Sequence, residues 1–114
     1  MQPISADKVE CKESKSGFSI KASENDIKRI IKDFRSAAVR CVDAGFDGVE
    51  LHGAHGYLIS QFLSKSINKR KDRWGGDLKG RSRFLTEIFT SIRKYVPKKF
   101  IVGIRLSPEI KGLE

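Results

Sequence analysis

The sequence predicts an α/β chain of the parallel type, and three observations carry that expectation. A helical period from Ser23 to Ala44 stops at a glycine and gives way at once to a short apolar run, Phe46 to Leu51. A second helical period, from Arg81, stops at Pro97 and gives way to another apolar run, Phe100 to Leu106. Both histidines of the chain stand directly after the first of these runs. Helix, brief turn and short apolar strand is the αβ step of a parallel fold, here written twice.

Taken in order, the first 22 residues are mixed and polar. Val9, Phe18 and Ile20 alternate only loosely with polar neighbours, so the one extended piece expected there is short, at Gly17 to Lys21. Ser23 and Asp26 then have the spacing of a capping box, in which hydroxyl and carboxylate satisfy the orphan N–H groups of a helix start. Ile27, Ile30, Ile31, Phe34, Ala38 and Cys41 follow at steps of three or four and share one helix face. Gly45 is placed to end that helix in a left-handed conformation. After the strand at Phe46 to Leu51, Gly53 and Gly56 break the extended run, and Tyr57 to Leu63 reads as a short helical turn. Ser64 to Gly80 is a long polar loop around Trp74, and loops of that length are usually functional or mobile. The second helix places Phe84, Leu85, Ile88, Ile92 and Tyr95 on one face, and its strand, Phe100 to Leu106, is expected to be buried.

The bulk numbers narrow the class. A chain of 114 residues with 39 % hydrophobic and 32 % charged residues has ordinary globular usage, so one folded segment with a modest core is expected rather than disorder. The net charge of +9 invites a polyanionic partner such as nucleic acid or anionic lipid. The charges are spread rather than blocked, which favours a solvated surface, with local phosphate binding by a cofactor as a further reading. Cys11 and Cys41 are far apart and form no C-x-x-C, as expected of reduced cysteines in a reducing compartment. Cys41 falls on the apolar helix face and is expected to act as a small buried side chain. With no run approaching about 18 apolar residues and no leader pattern, no membrane partner is expected and the cytoplasm is the default location.

Chemistry concentrates in His52-Gly53-Ala54-His55-Gly56-Tyr57. Ligands of parallel α/β folds bind at the carboxyl ends of strands, and small residues there let the backbone approach them closely. Two imidazoles can donate to one oxygen and favour negative charge developing on it. A tyrosine phenol, with an ordinary pKa of about 10, keeps its proton at neutral pH yet can deliver it to a carbanion. An oxygen clamp beside a weak acid suits protonation of a carbon next to an activated carbonyl. The same spacing also allows a metal held by His52 and His55, although no third ligand is evident, or two structural histidines. Arg105 is the other candidate, because an unpaired cation is costly to bury within an apolar strand. It is either a structural ion pair or a functional charge. The loop cations Lys65, Lys69, Arg70, Lys71, Arg73, Lys79, Arg81 and Arg83 surround Trp74 and could form a nucleic-acid patch with a base stacked on the indole. A solvated loop with a few internal ion pairs is preferred.

Longer strings tip the balance between these readings. Ala44-Gly45-Phe46-Asp47-Gly48-Val49-Glu50-Leu51-His52-Gly53-Ala54-His55-Gly56-Tyr57-Leu58 closely resembles the Old Yellow Enzyme family of FMN-dependent ene-reductases. So do Gln61-Phe62-Leu63, Asn68-Lys69-Arg70-Lys71-Asp72-Arg73-Trp74-Gly75-Gly76, Arg81-Ser82-Arg83-Phe84 and Gly103-Ile104-Arg105-Leu106-Ser107-Pro108. The resemblance runs unbroken from about Ser23 to Pro108. One departure is Lys79-Gly80, where the family often has Glu-Asn before Arg-x-Arg-Phe.

The resemblance implies a partial (β/α)₈ TIM barrel, with Phe46 to Leu51 as the fourth strand and Phe100 to Leu106 as the fifth. It divides the chain into an irregular N-terminal segment, 1–22, and a barrel segment, 23–114. In the family, NADH or NADPH reduces FMN at the carboxyl-end mouth, and the flavin passes hydride to the β-carbon of an electron-poor alkene. By match of position, His52 and His55 bind the activating oxygen of an α,β-unsaturated carbonyl substrate and Tyr57 delivers a proton to the α-carbon. Arg105 contacts the flavin ring near its pyrimidine edge, where a fixed cation stabilises the reduced anion. No metal site is implied, and the cysteine clusters that hold iron–sulfur centres in some larger relatives are absent from this stretch. Dienoyl-CoA reductases and amine dehydrogenases remain compatible relatives.

A whole barrel takes about 250 residues, and the resemblance places two of its strands here. The family's phosphate site, in loops after late strands, and its first-strand flavin contacts have no counterpart in the sequence. An internal piece of a truncated, split or engineered gene is expected, with the remaining barrel segments as its partner. Open strand edges predict association or poor solubility. Two rival readings are a non-catalytic piece acting only through association and, on charge alone, part of an RNA-acting flavoprotein. The 114-residue chain by itself is expected to be inactive and to bind FMN weakly. Stoichiometric flavin on the purified chain would overturn that expectation.

Overall fold

The computed structural model describes residues 2–12 and 14–108 of the chain. The end of the expected segment 23–114, residues 109–114, lies outside the described residues. In chain order the elements are β1 (Ile4–Ser5), β2 (Ile20–Lys21), α1 (Glu24–Asp43), β3 (Gly48–Gly53), α2 (Leu58–Leu63), α3 (Leu78–Tyr95) and β4 (Ile101–Leu106). Among the described residues no helix is long and apolar enough to cross a membrane.

Helix α1 starts and stops for local reasons visible in the sequence. The Ser23 hydroxyl accepts from the Asp26 N–H at 3.1 Å, and the Asp26 carboxylate accepts from the Ser23 N–H at 2.9 Å, the reciprocal pairs of a capping box. The Ser23 backbone donor, first among several hydrogen bonds, holds the Asp26 carboxyl below its usual range. At the other end Gly45, with φ +85°, donates to the Val42 carbonyl, and Phe46 donates to that of Cys41. That pair of bonds is a Schellman motif, and it consumes Phe46 in the helix stop. Strand β3 therefore begins at Gly48, two residues after the expected Phe46, and extends through His52 to Gly53.

Strands β3 and β4 pair in parallel, with Gly48 beside Ile101, Leu51 beside Ile104, His52 beside Arg105 and Gly53 beside Leu106. Neighbours in a parallel register point to the same face. Leu51 turns into the core with half-buried Val49 and Val102, against the buried faces of the helices. Ile27 and Ala38 of α1 and Phe84, Ile88 and Ile92 of α3 complete that layer, and Phe62 of α2 stacks on Phe84 with ring centroids 4.3 Å apart. The expectation that β4 is a buried strand is corrected here. Ile101 is 66 % exposed on one face of β4 and Leu106 57 % on the other, and among the described residues β4 pairs with β3 alone. Tyr95, expected on the apolar face of its helix, is also exposed, its ring stacked 4.2 Å beneath the Arg35 guanidinium.

The loop before α3 is solvated at Lys65, Lys69, Lys71, Arg73 and Lys79 and carries ion pairs from Arg70 to Asp72 and from Arg73 to Glu87, as expected, and it is wrapped on a few buried polar groups as well. Trp74 is fully buried and its indole N–H donates to the Glu24 carboxylate at the start of α1. An indole so enclosed offers no face to a nucleic-acid base. Asn68, also buried, donates to the carbonyls of Phe62 (2.7 Å) and Trp74 (2.9 Å) and accepts from the Arg70 N–H. Gly75 and Gly80 allow the closest approach in the loop, since a Cβ on Gly80 would lie 1.9 Å from the Gly75 carbonyl oxygen. The Gly80 half of the Lys79-Gly80 departure thus fits the packing, while Lys79 is exposed. Asp77 caps α3 by accepting from the Gly80 N–H at 2.8 Å, which starts the helix at Leu78 instead of Arg81. The apolar period missed that first turn because its Leu78 is exposed.

Arg70 joins this loop to the N-terminal segment. Its guanidinium is buried, donates to the carbonyls of Ala6 and Ala22 at 2.8 Å each, and forks onto the Asp72 carboxylate at 3.0 and 2.7 Å. Residues 2–22, expected to be irregular, hold the short parallel pair β1–β2, and Ala6 and Ala22 are buried in the shared core. The Arg70 hydrogen bonds hold the Asp72 carboxyl below its ordinary 3.8, against the opposing effect of burial. A depressed folded-state value means that this stabilisation is present above pH 3.8 and is lost as pH falls through the lower folded value. Replacing Arg70 by Met should cost about 3 kcal/mol, since two buried carbonyls and a carboxylate lose their donor. Urea unfolding at pH 7 should show the loss, and the gap between Arg70→Met and wild type should narrow below about pH 4. Equal stability at pH 7 would rule out the clamp.

Candidate active site

Three of the candidate residues meet at the carboxyl end of β3. His52 is the penultimate residue of the strand, His55 lies in the turn beyond it, and Tyr57 is the N-cap residue of α2. The His52 ring centroid lies 5.2 Å from that of His55, edge to face at 72°, and 5.1 Å from that of Tyr57, tilted at 48°. All three side chains are exposed, so their N–H and O–H groups are available to a ligand. Among the described residues no third His, Cys, Asp or Glu stands where it could complete a metal site with the two imidazoles.

Arg105 joins the group through the sheet. Its register partner is His52, so guanidinium and imidazole leave the same face on adjacent strands. Sequence reasoning expected Arg105 to resolve a burial problem, by ion pairing or by function. The side chain is in fact exposed, and among the described residues it forms no ion pair. The face it shares carries Gly48, Glu50 and His52 on β3 and Ile101, Gly103 and Arg105 on β4. With no side chains on Gly48 and Gly103, that face is open and polar toward its carboxyl end.

Backbone geometry explains how residues so close in sequence converge. His55 has φ +59° and Gly56 φ +76°, so two consecutive left-handed residues reverse the chain between strand and helix. Glycine adopts this at little cost, whereas a side chain pays about 1–2 kcal/mol per residue. Three side chains that sequence reasoning assigned no role hold the reversal. The Ser107 hydroxyl accepts from the His55 N–H at 3.1 Å, and the Gln61 amide donates to the Gly56 carbonyl at 2.8 Å. The Ser60 hydroxyl lies 3.3 Å from the Ala54 carbonyl and 2.9 Å from that of Tyr57. Ser and Gln are common surface residues, and nothing in their type or spacing marked them. Only the folded turn reveals what they bond to.

Comparison with known proteins decides the family. The model of the NADH:flavin oxidoreductase / NADH oxidase family matches residues 2–112, nearly the whole chain. The chain belongs to this family, the Old Yellow Enzyme family. Its relatives include the NADH-dependent flavin oxidoreductase nadA of Aspergillus parasiticus, 46 % identical over 110 residues covering 93 % of this chain and 25 % of that protein. The 12-oxophytodienoate reductase 2 of Arabidopsis thaliana is 49 % identical over 87 residues, 75 % of this chain and 23 % of the relative. Among solved structures, the old yellow enzyme homologue from Zymomonas mobilis superposes with a TM-score of 0.84 at 31 % identity, over 95 % of this chain and 32 % of that one. The chain thus spans about a quarter of the length of these curated relatives, and its α/β architecture is the matching part of an Old Yellow Enzyme barrel.

The left-handed His55 yields a prediction about stability. A His55→Gly variant should keep its fold and lose none of its thermal stability, because glycine removes the cost of a side chain at φ +59°. Calorimetry that finds it less stable by more than about 1 kcal/mol would show that the imidazole is there for packing.

Proposed function

We propose that this chain is the substrate-oxygen and proton-donor section of an FMN-dependent NAD(P)H oxidoreductase that reduces activated C=C bonds. The carrying observation is the convergence of His52, His55 and Tyr57 at a strand's carboxyl end, beside Arg105 on the same sheet face. Family membership and the names of the relatives support it, among them an NADH-dependent flavin oxidoreductase and a 12-oxophytodienoate reductase.

The donor set fits FMN. An exposed guanidinium beside an open, glycine-bearing sheet face suits the polar edge of a flat, electron-rich ring, and Arg105 is the residue of this chain that would hold it. When bound and reduced by NADH or NADPH, FMN supplies the hydride for the β-carbon. The chain's own residues supply the rest. His52 and His55 donate hydrogen bonds to the carbonyl oxygen of an α,β-unsaturated substrate, drawing electron density from the alkene and stabilising the charge that develops on that oxygen. Tyr57 gives its phenolic proton to the α-carbon, which completes a saturated C–C bond, and recovers a proton from water at its exposed edge. The exposed Ile101, Ile104 and Leu106 of β4 would be covered by the remaining barrel segments.

The test is a chimera in which the aligned three quarters of this chain replaces the matching 87 residues of the Arabidopsis 12-oxophytodienoate reductase 2. It should bind FMN and reduce 2-cyclohexenone with NADH or NADPH. Tyr57→Phe should lower kcat by about 100-fold or more with flavin content unchanged. His52→Ala and His55→Ala should raise KM and lower kcat by about tenfold or more. Full turnover in the Tyr57→Phe chimera would sink the assigned proton donor.

A further inference from the structure

The turn that carries His55 is held from two separate elements. Ser107 follows β4 immediately, and its hydroxyl accepts the N–H of His55, the amide entering the left-handed pair His55–Gly56. Gln61 sits in α2, and its side-chain amide donates to the carbonyl of Gly56, the one leaving that pair. The two bonds bracket the reversal, one at each end. We propose that Ser107 and Gln61 are positioning residues, which set the imidazole of His55 against that of His52 and so fix the spacing of the oxygen clamp.

Three features of the structure support this. The clamp spacing depends on the turn more than on the core, since both imidazoles are exposed and their ring contacts are with each other and with exposed Tyr57, itself carried by the same turn. A left-handed, non-glycine residue persists only where its surroundings specify it, and its N–H here points at an acceptor 52 positions on, just past β4. Finally, each anchor is coupled to something outside the turn. Ser107 lies two residues beyond Arg105, just past the end of the strand that pairs with His52, so cation and clamp are aligned by the same segment. The Gln61 oxygen accepts from the Ala6 N–H at 3.4 Å, which connects the turn to the N-terminal segment held by Arg70. Displacing reacting groups by about 1 Å costs on the order of 100-fold in rate, so losing either anchor has consequences out of proportion to one exposed hydrogen bond.

The proposal rests on the oxygen-clamp reading above, and its test has one arm that does not. In the full 114-residue chain, deuterium uptake of a peptide spanning residues 54–58 is followed by mass spectrometry. Ser107→Ala should speed exchange at the His55 amide about tenfold, and Ser107→Thr, which keeps the hydroxyl, should restore it. In the chimera, Ser107→Ala should raise KM for 2-cyclohexenone about tenfold at unchanged FMN content, again with rescue by Thr. Gln61→Glu keeps an oxygen for Ala6 but cannot donate to Gly56, and should match Gln61→Leu in raising KM. Unchanged exchange in Ser107→Ala would overturn the positioning role, as would faster exchange with unchanged KM. A wild-type chimera that holds FMN yet reduces no enone would instead defeat the oxygen-clamp reading, while the exchange arm still decides whether the anchors set the turn.

Discussion

The parallel ladder between β3 and β4 is the constraint on which the site depends. Its register places His52 beside Arg105, and side chains in a strand alternate strictly, so a slip of one residue in either strand would turn that strand's member of the pair to the opposite face. What prevents the slip is the other face. Leu51 is buried against the helices with half-buried Val49 and Val102, and a shifted strand would put Glu50 and His52 there instead. The hydrophobic layer thus decides where polar groups point, and the polar groups have only to occupy the alternate positions. Burial on one side of a two-stranded sheet and the exposed His52 and Arg105 on the other have a single cause.

A second layer of organisation is polar and buried, in the stretch between α2 and α3. Asn68, Arg70 and Trp74 have nearly no exposure, and their donors end on backbone carbonyls or carboxylates within 3.1 Å or on the Glu24 side chain. Each would be expensive to bury alone and inexpensive once satisfied, so the loop takes one conformation or none. The basic residues around Trp74, which in sequence suggest a polyanion surface, are partly spent on this. Arg70 clamps carbonyls, Arg81 donates to those of Leu63 and Gly76, and Arg83 donates to that of Arg73. Charge composition overstated the free cationic surface because guanidinium groups also serve as rigid donors to the backbone.

The turn from Ala54 to Tyr57 shows how a site is set at the margin of stability. Two left-handed residues in succession are unfavourable for a side-chain-bearing position, yet they bring the rings of His55 and Tyr57 to 5.2 and 5.1 Å from that of His52. Serine and glutamine side chains from β4's end and from α2 make up for part of that cost. Rigid elements on either side then hold a short, strained loop whose residues remain open to solvent.

Periodicity and capping are local, and they were legible in the chain itself. The Ser23–Asp26 box, the Gly45 stop, the apolar faces of both long helices and the alternation of helix with strand depend on residues a few positions apart. The longer strings around His52 to Tyr57 carried the family and hence the barrel. Folding decided what depends on distant residues. The Schellman stop at Phe46 moved β3 two residues on, and the Gly75–Gly80 contact with the Asp77 cap started α3 a turn early. The long loop became a packed one through Arg70 and the carbonyls of Ala6 and Ala22, 64 and 48 positions away. Ser107 reached His55 across 52 positions. No pattern within a short window encodes such pairings, because a hydroxyl or a guanidinium is equally at home in water and finds its acceptor only when the backbone brings it near.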